Sequence, residues 1–208
     1  MRADFALMET VLARDPATYM HSQRTAVYTD MLCAEIGLDR WHTEAIHTAA
    51  LLHDVGKVGI PDAILAKPGP LDDHEWEVVR RHSAVGASIL ESAGMNEIAR
   101  WVYHLHERFD GGGYPDGLAG EETPFESRLL HAADTLEAMT AQRPYRASLT
   151  LDEASVALEK HAGTQLDPSF ALPLAALVRE GRGQAPHSIL GEAPRRTIRR
   201  RLSLRRAA

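Results

Sequence analysis

Ala49-Ala50-Leu51-Leu52-His53-Asp54-Val55-Gly56-Lys57 sets a soft imidazole beside a hard carboxylate at the end of an apolar helical run. An isolated His-Asp pair is more often a surface or capping pair. Here it has company: His21 lies 32 residues before His53, His82 lies 28 after Asp54, and His106 and Asp134 follow, each near an otherwise apolar helical pattern. Nitrogen and oxygen donors without thiolates suit Fe, Mn or Zn held for hydrolysis, whereas a structural zinc site more often uses Cys.

Outward from this stretch the pattern is helical almost throughout, with helices predicted over roughly 4–13, 17–36, 41–54, 73–93, 95–107, 124–140, 151–162 and 168–180. Apolar residues recur at three- and four-residue spacing, as in Val27, Met31, Ala34 and Leu38. Gly37, Gly94 and Gly163 mark helix ends, Asp72 or Asp73 an N-cap, and Pro16, Pro61, Pro124 and Pro168 element starts. Two loops interrupt the pattern, 56–71 and 110–120, the second with five Gly and Pro115. No convincing strand is present, and the fold expected is an all-α bundle that brings ligands from separate helices to one interior point.

With 208 residues and 44% hydrophobic content the chain can bury a core of its own, and the length fits one domain. The single Cys33 excludes an internal disulfide, which with no secretory signal suggests a reducing, cytoplasmic setting. No run of about 18 apolar residues exists to form a membrane span. The net charge of −6 hides an asymmetry: residues 182–208 hold eight Arg and one Glu, which leaves −13 on residues 1–181. An acidic body is a poor general nucleic-acid platform. The division expected is therefore a catalytic domain over 1–181 and an Arg-rich, flexible tail over 182–208, with an anchor for anionic lipid or nucleic acid as the sharper reading of the tail.

Adjacent helical residues point about 100° apart, so His53 and Asp54 cannot both address one cation along parallel directions. A carboxylate can span two cations about 3.5–4 Å apart, which makes Asp54 the candidate bridge of a two-metal hydrolytic site.

Several segments, taken in order, resemble the HD-GYP family, a subgroup of the HD-domain phosphohydrolases. They are His21-Ser-Gln-Arg24, His53-Asp54-Val-Gly56-Lys57, His106-Glu-Arg-Phe-Asp-Gly-Gly-Gly113-Tyr114-Pro115, and Ala133-Asp134 with Met139-Thr140 and Arg143-Pro-Tyr-Arg146. The likeness covers roughly residues 15–180. It implies that His21, His53, Asp54 and Asp134 are the ligands common to HD domains, and that His82 and His106 hold a second metal. It implies two divalent ions, Fe or Mn, and a phosphodiesterase in which metal-bound hydroxide opens cyclic di-GMP to pGpG, with pGpG and GMP as the alternative end products. Lys57, Arg143 and Arg146 would meet the phosphates, since a phosphodiester needs cations at its oxygens as charge builds. Tyr114 would stack on or cap a guanine, and Glu107 and Asp110 would orient His106. A diguanylate cyclase or other signalling protein, and a second copy of the chain as a homodimer, are the partners implied, with no specific nucleic acid. Only about 15 residues precede the first motif, so a fused sensory domain is not expected there.

The chain departs from the family at Leu105, where the family has a second His, and at Ala17, where three-metal members carry Glu. The second metal site is thus expected to be the weaker one, and Leu105→His to raise metal content and rate. The rival readings are a cyclic-dinucleotide sensor without turnover and a phosphohydrolase of another nucleotide. His131, three residues before Asp134 and on the same helical side, is the other histidine that merits a test. Trp41, Trp76 and Trp101 are expected as core or edge aromatics.

Overall fold

The computed structural model describes residues 3–142 and 148–181. Ten α-helices lie in this span: α1 (Ala3–Arg14), α2 (Pro16–Glu35), α3 (Arg40–Leu52), α4 (Asp62–Leu65), α5 (Asp73–Arg80), α6 (His82–Ser92), α7 (Asn96–Tyr103), α8 (Phe125–Thr140), α9 (Leu151–His161) and α10 (Pro168–Arg179). The described residues hold no β-strand, only the isolated bridges Asp110–Ala119 and Ala162–Leu166. This is the all-α bundle expected. Arg143, Arg146 and the tail 182–208 lie outside the described residues.

Local chemistry sets the helix starts. Asp15 accepts from the Ala17 amide at 3.0 Å with Pro16 in the first turn of α2, and Asp39 accepts from the His42 amide at 3.0 Å at the start of α3. Asp72 caps α5 in a reciprocal box with Glu75, and Thr150 does the same for α9 with Glu153. The core runs between α2, α3, α7, α8, α9 and α10, with Tyr28, Leu32, Ile46, Leu52, Leu129 and Phe170 among its buried members.

Two predicted elements change. The single helix expected over 73–93 divides at Arg81 into α5 and α6. The cause is local and tertiary together: Arg81 N bonds in a tight turn to Val78 O at 3.3 Å, His82 Nδ1 donates to Val79 O at 2.7 Å, and the first turn of α6 packs against a 3₁₀ turn, Val55–Gly59. The helix expected to reach 107 ends at Tyr103, and the predicted loop 56–71 holds most of the 3₁₀ turn and all of α4.

Gly56 explains how that turn meets α6. A Cβ on Gly56 would lie 1.9 Å from His82 O and 2.5 Å from Gly86 N, so only glycine allows the approach. Because Gly56 follows Asp54 by two residues, the contact sets how far His82 stands from Asp54.

Candidate metal centre

The six residues predicted to bind metal come together at one site, from five elements. His21 comes from the second turn of α2, His53 and Asp54 from the end of α3, His82 from the start of α6, His106 from the turn after α7, and Asp134 from the middle of α8. His21 Nε2 lies 3.1 Å from His53 Nε2 and 3.0 Å from Asp134 Oδ1, and Asp54 Oδ2 lies 3.6 Å and 3.4 Å from the two imidazole nitrogens. A second group forms beside the first, with His82 Nε2 3.0 Å from His106 Nε2 and 3.7 Å from Asp54 Oδ1. Asp54 thus turns one oxygen to each group.

Whether these atoms suit a cation follows from where the other ring nitrogens are committed. His53 Nδ1 donates to Ala50 O at 2.8 Å, His82 Nδ1 to Val79 O, and His21 Nδ1 to Glu137 Oε2. In the neutral rings those bonds leave the lone pair on Nε2, the atom aimed into the site. The Nε2 lone pairs of His21 and His53, 3.1 Å apart, repel one another unless a cation or a proton sits between them. The donor set fits divalent metal.

The electrostatics agree. Burial would raise the carboxyls of Asp54 and Asp134, yet both are held well below the usual carboxylate range, Asp54 by Lys57, His53 and His21 and Asp134 by its bond to His21. Burial pushes His82 and His106 down, so both rings stay neutral. His21 goes the other way: burial lowers it, but Asp134 and Glu137 outweigh burial and raise it to about 10. A cation bound at His21 Nε2 would take the place of the proton there.

Surrounding residues fix the ligands. Glu137, one turn beyond Asp134 on α8, accepts from His21 and, at 2.6 Å, from Arg24 Nε, which locks the His21 ring and its tautomer. The sequence reading gave Glu137 no role; its i,i+3 spacing from Asp134 was the available signal. Glu107 and Asp110 do not orient His106 as expected. The Glu107 carboxylate accepts the backbone amides of Asp116, Gly117 and Leu118 at 2.7–3.1 Å, and Asp110 pairs with Arg108, so both hold the Gly-rich loop instead. His104, Glu107 and Asp116 also come together, but those three amides occupy the Glu107 oxygens. His131 is buried behind the centre, with Nδ1 donating to Glu107 O at 2.8 Å.

That loop delivers Tyr114. Gly113 runs so close to residues 106–108 that a Cβ would lie 2.3 Å from Arg108 N, and the Tyr114 ring stacks on His106 with centroids 5.1 Å apart. The Arg80 guanidinium lies over the Tyr114 ring at 5.5 Å. Lys57 Nζ donates to Asp54 Oδ2 at 2.6 Å. Leu105 is packed in the apolar core at 1% exposure, and the cavity wall does not include it. The ligands form the floor of a cavity of about 410 Å³ open to solvent, and His21 and Lys57 also border a second hollow of about 250 Å³ beside Arg24 and Gln142. The larger volume falls in the range of small-ligand sites.

The HD domain profile matches residues 6–170. The chain is 39% identical over 187 residues to the 3′3′-cGAMP-specific phosphodiesterase 3 of Vibrio cholerae, covering 88% of this chain and 41% of that protein. It is 36% identical over 165 residues to the cyclic di-GMP phosphodiesterase response regulator RpfG of Xanthomonas campestris, covering 78% and 44%. The chain therefore spans less than half the length of these curated relatives. Among solved structures, a cyclic GMP-AMP specific phosphodiesterase of Vibrio cholerae superposes with a TM-score of 0.53 at 32% identity, covering 90% of this chain and 41% of that one. An HDGYP protein of Bdellovibrio bacteriovorus shares the fold with a TM-score of 0.64 at 18% identity, covering 79% and 53%. No described helix is long and apolar enough to cross a membrane.

Proposed function

The chain belongs to the HD-domain phosphohydrolases, a metal-dependent family, and from that premise we propose that it is a phosphodiesterase that opens cyclic di-GMP to the linear dinucleotide pGpG and on to GMP. The observation that carries this reading is Asp54, which turns Oδ2 to His21 and His53 and Oδ1 to His82 at the floor of an open cavity. Two divalent cations, Fe or Mn, would be held by His21, His53, Asp54 and Asp134 on one side and by Asp54, His82 and His106 on the other. Bound there, they supply Lewis acidity to a phosphoryl oxygen and lower the pKa of a water. The second group offers fewer protein donors, and Leu105 adds none, so the second cation is the weaker.

The chain's own residues do the rest. Lys57, beside Asp54, is a point charge for the non-bridging phosphate oxygens, where negative charge grows as the phosphorus–oxygen bond breaks. Arg143 and Arg146 serve the same phosphates. Glu137 keeps the His21 Nδ1 proton in place so that Nε2 remains a donor to metal. Residues 1–181 form the catalytic domain, with 182–208 a basic tail.

A second reading is favoured by the 39% relative, whose name assigns it 3′3′-cGAMP. Metal per chain in anaerobically purified protein, measured beside turnover of cyclic di-GMP and 3′3′-cGAMP, separates the two. About two metals and faster release of pGpG support the proposal; faster 3′3′-cGAMP turnover supports the second reading. One metal and affinity without turnover would mean a sensor; because Leu105 is packed in the apolar core away from the cavity, Leu105→His should add no metal, contrary to the expectation from the sequence.

A further inference from the structure

Tyr114 lines the cavity with its ring already stacked on His106 and beneath the Arg80 guanidinium, and a second aromatic residue lines the same cavity. It is Trp76. Trp76 and Val79, three residues apart on α5, line the same cavity as the ligands, and Trp76 is 46% exposed, with no ring stacked on it among the described residues. A tryptophan so exposed leaves its apolar surface in water, a cost that a stacked ligand removes. Its neighbour on the same wall is Lys67, whose Nζ donates to Glu75 Oε2 at 2.5 Å. Glu75 is fixed in turn by the Asp72 capping box, so the ammonium is held in place with N–H groups to spare.

We propose that Trp76 and Lys67 form a nucleobase subsite, the indole as stacking platform and the ammonium reading the acceptor edge of a guanine. The inference rests on the reading of the centre as a cyclic-dinucleotide phosphodiesterase, and adds where one base goes and why guanine is preferred. Any base can stack on an indole, so Trp76 gives affinity with little selectivity. Lys67 gives the selectivity, because guanine presents O6 and N7 as adjacent acceptors, whereas adenine places an amino donor where O6 would be. With the reacting phosphate at the floor and one base on the wall, the cavity holds one half of the dinucleotide, and the smaller hollow beside Arg24 and Gln142 adjoins it across His21 and Lys57.

The test uses metal-loaded protein and the variants Trp76→Ala, Trp76→Phe and Lys67→Met, with metal per chain and Tm as checks on the fold. Trp76→Ala should raise KM for cyclic di-GMP by about 5- to 150-fold with kcat nearly kept, and Trp76→Phe should recover most of the loss. Lys67→Met should raise KM for cyclic di-GMP about fivefold or more and leave inhibition by cyclic di-AMP nearly unchanged. An active enzyme whose KM is indifferent to Trp76→Ala overturns the subsite and leaves the phosphodiesterase reading standing. If wild-type protein turns over no cyclic dinucleotide, that reading fails instead. The subsite is then decided by indole emission: quenching by GMP that disappears in Trp76→Phe upholds it, and no quenching overturns it.

Discussion

Gly56→Ala puts the assembly of the centre under direct strain. The added Cβ would sit 1.9 Å from His82 O and 2.5 Å from Gly86 N, both backbone atoms that no rotamer change can move. Contacts below 3.0 Å are essentially never seen for a Cβ, so α6 and the 55–59 turn must part by about 1 Å or more. Overpacking of that kind costs about 1–3 kcal/mol, and at about 2–4 °C per kcal/mol for a chain of this size the Tm should fall by about 2–12 °C. The larger effect is on function. His82 moves with α6 while Asp54 stays with α3, and a displacement near 1 Å exceeds the roughly 0.2 Å tolerance of a metal–ligand bond. The second metal should be lost and kcat should fall by about 10²-fold or more. Gly59→Ala is the matched control: its Cβ would meet only the Val85 side chain, at 3.3 Å. Metal per chain, kcat and Tm measured on both variants read the result. A folded Gly56→Ala protein with two metals and wild-type kcat would refute the claim that this contact sets the Asp54–His82 spacing.

Glu137→Gln should weaken metal binding about 10- to 100-fold, since the amide holds His21 and Arg24 less firmly, and competition with a chelator measures this. The same variant tests pH dependence. Burial would raise the Glu137 carboxyl, but His21 and Arg24 hold it below its ordinary value, so its stability is present above about pH 4.5 and lost as pH falls through the lower folded value. Metal-free Glu137→Gln should therefore show a shallower loss of Tm on acidification than wild type; equal slopes would contradict this. Lys57→Met should cut kcat by about 10²–10³ at unchanged metal content, and a rate within a few-fold of wild type would remove Lys57 from the phosphate. Burial pushes the Cys33 thiol up to about 12, and the side chain is fully buried. The native protein should resist a thiol reagent at pH 8 and react only on unfolding; rapid native labelling would show that α2 opens.

Donor types, their order and the helices that carry them could be read from the residues alone. Periodicity and capping are local properties, so α2, α3 and α8 were legible, and so was the competence of Asp54 to bridge, which follows from a carboxylate having two oxygens. Whatever depends on chain segments far apart came from the packing. His21 pairs with His53 across 32 residues and His82 with His106 across 24, and spacing alone ranks no such pairing. The division of the 73–93 helix at Arg81 adjoins the close pass of Gly56 against the first turn of α6, and the holding of His21 by Glu137 spans 116 residues. Glu107 looked like a neighbour of His106 because it follows it, yet its carboxylate turns to the amides of the Gly-rich loop. Trp76 read as an edge aromatic because helical periodicity assigns a residue to a face, while what that face meets, here a cavity above the metal ligands, is set by the packing of the other helices.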